Sequence, residues 1–352
     1  METLMALVLA LSQGAPRAAQ GQEEPPAPLP PGQDRAARPR PPAEPVFGGR
    51  AGIDLTYNSN ILRLDDRDVE RLEDGTRPDK FRIEQPDDFI VSPWAEGSME
   101  FSLLDAPATA GLRARAHLYQ ANSIANYEEL TLFLRRAPAE ISYTFMPDVY
   151  RREYRNLDTG EFESAFYRDH LFEAEVRTRP WQAVTVRPKA CLEFRDYDAP
   201  FNHRDSIFYG LGARAGVDVL RDVELLLEYE FVLNDSFARS FQPDVSYQEH
   251  ALEPGVAVRP LRGVELKASY RFADRRYTTD NRPAVDPGHA DREDDRRRAS
   301  LGARWRVSSA VTLEAEARFT RVDISLPHDP GATDEETSWN REEYVLGFTY
   351  RF

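Results

Sequence analysis

The sequence predicts an all-β fold, a transmembrane antiparallel up-and-down β-barrel of fourteen strands, and three observations predict it. Apolar and polar residues alternate in fourteen segments of roughly ten residues, as they do along strands with one face toward each of two media. The connections between these segments are short and long by turns. The chain then ends on a strand, Tyr344 to Phe352, that carries Tyr344, Leu346, Phe348, Tyr350 and Phe352 on one face and Val345, Gly347, Thr349 and Arg351 on the other.

Composition neither contradicts this nor proves it. Charged residues make up 30% of the 352, and mean hydropathy is -0.60. No stretch reaches the roughly 20 apolar residues of a membrane helix, but barrel strands interleave apolar with polar residues and escape that test. The net charge of -15 argues against nucleic acid as a partner, because phosphate binding requires a basic surface. Cys191 is the only cysteine, so no internal disulfide forms.

Residues 1–21 read as an export signal. Leu4 to Leu11 form a short apolar core, followed by small residues at Ala15, Ala18 and Ala19. A basic residue is expected ahead of such a core and Glu2 stands there instead, so either the start codon lies further upstream, the favoured reading, or the signal is atypical. Residues 22–48 read as a disordered linker on the periplasmic side, since Glu23 to Pro45 hold nine of the 26 prolines.

The barrel is expected over 49–352. Its segments lie near 50–58, 91–103, 110–121, 128–135, 139–152, 164–178, 184–197, 206–219, 223–234, 247–259, 264–277, 296–307, 311–324 and 343–352. In the ninth, Val223, Leu225, Leu227, Tyr229, Phe231 and Leu233 oppose Glu224, Glu228 and Glu230. In the twelfth, Ala299, Leu301, Ala303 and Trp305 oppose Arg298, Arg304 and Arg306. Soluble sandwich strands also alternate, but their polar faces are seldom so charged nor the strands so long. Turns are expected at Ala106-Pro107, Ala137-Pro138, Pro180-Trp181, Leu220 to Asp222, Pro260 to Gly263 and Ser308 to Ala310. Aromatic girdles are expected from Tyr57, Tyr119, Tyr127, Tyr197, Tyr209, Phe231 and Tyr277 on the loop side, and from Trp181, Trp305, Tyr350 and Phe352 on the turn side.

On these residues the chain resembles the porin-like outer-membrane barrels of Gram-negative bacteria, including an uncharacterised group whose first strand reads much like Asp54 to Leu62. The terminal strand, closing on Phe352, resembles the assembly signal of that class. The resemblance covers about 50–352. It implies a protein of the outer membrane with both termini periplasmic, contact with lipid and lipopolysaccharide, recognition by the barrel-assembly machinery, a monomer or small homo-oligomer, and no cofactor.

The polar faces would line a lumen. Acidic and basic side chains nearly balance there but are unevenly placed. Glu224, Glu228, Glu230, Glu249 and Glu253 cluster on the ninth and tenth segments, with Lys267, Arg271, Arg298, Arg304 and Arg306 on the next two. Arg113 and Arg115 lie on the third, Arg187, Lys189 and Arg195 on the seventh, and Glu314 and Glu316 on the thirteenth. Two readings stay open: a salt-bridged network that fills the barrel, or a transverse field across a wet pore. A fourteen-stranded barrel falls between filled and fully open tubes.

The first long loop is expected either to fold inward or to stand as a solvated charged segment, and its Asp65 to Asp74 run lacks calcium-loop spacing. The six histidines are scattered, without metal-ligand spacing. Asp169-His170 and His203 to Asp205 flank neighbouring loops, where they would meet in an outer-membrane hydrolase, but no G-x-S-x-G accompanies them. The leading functional expectation is therefore a channel for small hydrophilic solutes or ions. A non-conducting barrel acting through its surface loops is second, and a hydrolase third.

Overall fold

The computed structural model describes residues 44–76, 78–239, 241–328 and 337–352. The export signal and most of the proline-rich linker lie outside the described residues. Fifteen strand segments make fourteen staves of one antiparallel sheet. They are β1 (Val46–Asn58), β2 (Asp88–Leu103), β3 (Ala106–Tyr119), β4 (Tyr127–Arg136), β5 (Ala139–Arg155), β6 (Phe162–Val176), β7 (Thr178–Trp181), β8 (Val184–Tyr197), β9 (Ser206–Leu220), β10 (Val223–Ser236), β11 (Tyr247–Leu261), β12 (Val264–Tyr277), β13 (Glu293–Arg306), β14 (Val311–Ser325) and β15 (Trp339–Arg351). β6 and β7 are one stave interrupted at Arg177.

Each stave pairs with its sequence neighbours, and β1 pairs with both β2 and β15, so the sheet closes into a barrel with no free edge. The terminal strand supplies this closure, with Leu55 opposite Leu346 and Tyr57 opposite Tyr344. At its end Phe352 exchanges backbone hydrogen bonds with Gly49.

The period-2 alternation sorts the residues as the charge pattern requires. Leu211, Leu227, Leu301, Leu346 and Phe348 stand exposed on the outside, while Glu228 and Glu249 are buried inside. An apolar outer belt around a charged interior is the construction of a transmembrane barrel. Trp181, Trp305, Tyr350 and Phe352 are exposed near the turn side, and Tyr57 and Tyr209 near the loop side.

Some expectations are displaced. The β2–β3 turn is Leu104-Asp105, both at positive φ, and Pro107 is already the second residue of β3; a proline at a strand start is tolerated and is no sure turn marker. The β7–β8 turn is Gln182-Ala183, beyond Trp181. Arg262-Gly263 turns as expected, with Gly263 at φ 81 supplying the left-handed residue.

Of the seven loop-side girdle aromatics, four face inward. Tyr119, Tyr127, Tyr197 and Tyr277 share the parity of His117, Glu129, Arg195 and Arg275 on their own strands, and that face is the lumen.

The first long connection, 59–87, folds into the loop-side mouth. Leu62, Leu64, Phe81 and Ile83 pack with Ala125 and Tyr150, and Tyr119 and Phe166 close the cluster. Its acidic run is a short helix rather than a loop, exposed or half-buried except at Asp68. Asp65 caps an eight-residue helix, α1 (Asp66–Glu73), by accepting from the Asp68 backbone N–H, and Asp68 turns inward to meet Lys80 at 2.7 Å and Arg71 at 3.0 Å. Burial raises the Asp68 pKa, but the bonds to Lys80 and Arg71 outweigh it and hold the carboxyl below its ordinary value.

Candidate functional site: a charged lumen

The inner wall is organised by ion pairs that cross between staves. On the β8–β10 side, Lys189 reaches over β9 to Glu228 at 2.7 Å and Glu230 at 3.0 Å. Its stem lies flat across Gly212, where a Cβ would stand 2.9 Å from Lys189 Cε, so only glycine leaves that path clear. Arg214 holds the other oxygen of Glu228 at 2.6 Å. Across β11 and β12, Arg271 bonds Glu230 at 2.7 Å, Arg275 bonds Glu249 at 2.8 Å and Arg298 meets Glu253 at 3.2 Å. Toward the turns, Glu224 takes Arg259 at 2.7 Å, Arg304 takes Glu314 at 2.6 Å, and Glu316 takes Arg318 at 2.6 Å.

The opposite wall repeats the device. Arg113 and Arg50 converge on the buried Glu96 at 2.6 and 2.8 Å, each with its guanidinium within 5.8 Å of the Trp94 ring centre. Arg115 meets Asp54 at 3.2 Å and Arg187 meets Glu175 at 3.6 Å. Lys267 lines the largest lumenal cavity, whereas Arg306 is exposed at the end of β13. Acidic and basic walls that look segregated along the chain therefore interlock in space, because neighbouring staves bring the glutamates of β10 and β11 against bases from β8, β9, β12 and β13.

Three cavities succeed one another along the lumen. The turn-side one is about 500 Å³, lined by Glu253, Lys267, Arg271, Arg298, Arg304 and Glu316 among others. A second of about 300 Å³ shares Arg271 and Arg298 with it and adds Arg63, Arg296 and Arg341. A third of about 250 Å³ on the loop side shares Arg63 and Arg296 with the second. The three linings have staves β11, β12 and β13 in common, the loop-side one is lined also by β5, β6, β8 and β9, and Arg63 brings the first loop to the upper two.

Of the loop-side group the sequence marked only Arg195 as lumenal, and it placed Tyr197 and Tyr277 in the girdle. The group comprises Arg195, Arg204, Arg275, Arg292 and Arg296, with Tyr154, Tyr167, Tyr197, Tyr247 and Tyr277. A signal existed in Arg195-Asp-Tyr197 and Arg275-Arg-Tyr277. An Arg-x-Tyr step at the loop end of a strand places both side chains on one face.

The hydrolase candidates are separated. Asp169 is buried beside Arg195 in the lumen, while His170, one residue on, bonds the Tyr143 hydroxyl at 2.8 Å on the other face. Asp205 is occupied by the Tyr197 backbone N–H at 2.7 Å. Among the described residues no cluster of His, Cys, Asp or Glu has the makings of a metal site.

No protein-family model matches the chain, and no curated protein matches it. Solved structures do. A loop-deletion mutant of OmpT, an outer membrane protein of Vibrio cholerae, aligns with 88% of this chain and 99% of its own at 10% identity and a TM-score of 0.45. The outer membrane channel DcaP of Acinetobacter baumannii aligns with 88% and 97% at 10% identity and a TM-score of 0.45. An anion-selective porin from Comamonas acidovorans aligns with 88% and 99% at 9% identity and a TM-score of 0.42.

Proposed function

We propose that the protein is a porin-like channel of the outer membrane of a Gram-negative bacterium, passing small hydrophilic solutes or ions without catalysis. One observation carries the reading: the three lumenal cavities share lining residues in sequence from the loop side to the turn side. A barrel whose interior were wholly occupied by its ion pairs would have no such series. The pairs instead hold long side chains against the wall, which keeps the path polar and its outline fixed. The even number of staves puts the chain's two ends on one side, with the short turns, and in this reading that side is the periplasm. The terminal strand would then be the element met first by the assembly machinery.

Liposome swelling tests the proposal. Vesicles holding the refolded protein should swell in iso-osmotic glycine or arabinose faster than vesicles holding none, and swelling should slow as solute size increases. Equal rates with and without protein would favour the second reading, a closed barrel that works through its loops. The first loop, folded into the mouth rather than extended, is the observation against that alternative.

A further inference from the structure

The turn-side cavity holds one charge that its neighbours do not cancel. Six bases and five acids line it. Five of the bases, Arg214, Arg271, Arg298, Arg304 and Arg318, each meet a carboxylate at 3.2 Å or closer. The sixth, Lys267, is exposed to the lumen and, among the described residues, has no carboxylate within 4.0 Å.

The register explains this isolation. Lys267 stands opposite Ala257 on β11 and Gly302 on β13, so neither flanking stave offers it an acid. A Cβ at Gly302 would meet only the Ala315 carbonyl, at 3.9 Å, which leaves the space beside the ammonium open. Glu265, two residues back along β12, is held by Arg259 at 3.1 Å. Glu316, beyond Gly302 on β14, gives both oxygens to Arg318 at 2.6 and 2.7 Å. A guanidinium fork holds a carboxylate at two points where an ammonium offers a point charge, so that acid stays with its arginine. One step toward the loop side, Ser269 and Ser300 face each other across β12 and β13 in the same cavity. A hydroxyl donates to an anion as readily as it accepts from a cation, so the ammonium alone supplies a sign.

An opposite lone charge, Glu173 on β6, has no base within 4.0 Å among the described residues. It stands five staves away. That is about 24 Å along the wall and more than about two Debye lengths at 0.1 M salt, so it does not neutralise Lys267. From this geometry we infer that Lys267 is a specificity-determining residue, a docking point for small hydrated anions such as chloride or a short carboxylate, with the Ser269 and Ser300 hydroxyls beside it. The inference rests on the channel reading and adds a sign to it, since the ammonium biases the turn-side part of the path toward anions.

The test is the reversal potential of the refolded full-length protein in a planar bilayer under a gradient of KCl, repeated with potassium acetate. Lys267→Gln should lower the anion-to-cation permeability ratio about twofold with about 0.1 M salt on the dilute side, Lys267→Glu should lower it about fourfold, and both shifts should vanish near about 1 M. Lys267→Arg should keep most of the wild-type preference. Arg168→Gln, exposed on the outer face of β6, should leave the ratio unchanged. Because Lys267 makes no pair, Lys267→Gln should also leave the urea midpoint of vesicle unfolding where it was, and a lower midpoint would overturn the claim that its charge is uncancelled. A Lys267→Gln channel with the wild-type ratio overturns the role of Lys267 and leaves the channel reading intact. Folded wild-type protein with no conductance removes the channel reading and this inference with it.

Discussion

Leu226 and Leu227 are adjacent on β10 and face opposite media, so one substitution made at both measures the difference between those media. The outward apolar residues of β10 run from Val223 to Leu233. At about 3.3 Å per residue and a tilt of about 40°, that run rises about 25 Å, the height of a barrel's apolar belt. Leu227 then lies about 10 Å above its turn-side edge, close to the midplane. Its side chain is 47% exposed, which in place means exposed to acyl chains. Arginine there should cost about 2–4 kcal/mol. Arginine at Leu226 enters the lumen beside Glu224 and Glu228 and should cost less than about 1 kcal/mol, the scale of a solvated charge near opposite charges. Leu313 is only the second outward position of β14, about 5 Å from the same edge, so Leu313→Arg should cost about 1 kcal/mol. Urea titration of folding into lipid vesicles gives all three values. Equal costs at Leu226 and Leu227 would refute the assignment of faces, and equal costs at Leu227 and Leu313 would refute the depth argument.

Three further outcomes follow from the same structure. The Asp68 carboxyl sits below its ordinary value, so its contribution to anchoring the first loop is present above about pH 4 and is lost as pH falls through its own lower pKa; hydrogen exchange over 61–83 should stay slow from neutral pH to about pH 4 and quicken below it, and Asp68→Asn should quicken it at neutral pH. Unchanged protection in that variant would detach the loop's position from this contact. Glu249→Gln should destabilise the barrel by about 1–3 kcal/mol, because Arg275 and Arg296 lose the carboxylate that joins them in a half-wet lumen; Glu314→Gln, at a pair far more exposed, should cost less than about 1 kcal/mol, and reversal of this order in vesicle unfolding would mean that the lumen is uniformly solvated. With Cys191 replaced by serine, a cysteine at Asp158 should react with an impermeant maleimide on intact cells and one at Arg262 should not; the opposite pattern would invert the proposed orientation.

Much of this architecture was legible because a membrane barrel writes its two media into alternate residues. The lipid faces follow from parity, as the exposed Leu225, Leu227 and Tyr229 beside the inward Glu224, Glu228 and Glu230 illustrate, and the up-and-down order follows from the alternation of short and long connections. Strand ends were less legible. β5 runs to Arg155 and β2 begins at Asp88, because pairing continues past the apolar belt, where composition no longer alternates. The tyrosines misled for a related reason. An aromatic near a strand end suggests an interface ring, yet Tyr197 and Tyr277 have the parity of arginines, and parity overrides type. The inward fold of the first loop was left open because Leu62, Leu64, Phe81 and Ile83 have no fixed period; only contact with Tyr150 and Ala125 makes them a core. Nor does spacing along one strand show that Lys189 meets Glu228 and Glu230, since that depends on register across β9 and on Gly212 standing between.

The central claim is that a polar path runs past staves β11, β12 and β13 from the loop side to the turn side, and single-channel recording of the refolded protein in a planar bilayer tests it most directly. Wild-type protein should open in discrete steps, and Ser300→Trp, which projects a ring into the turn-side cavity, should shrink those steps without impairing folding. Fully folded wild-type protein that gives no steps, or Ser300→Trp protein that conducts as wild type does, would contradict the path.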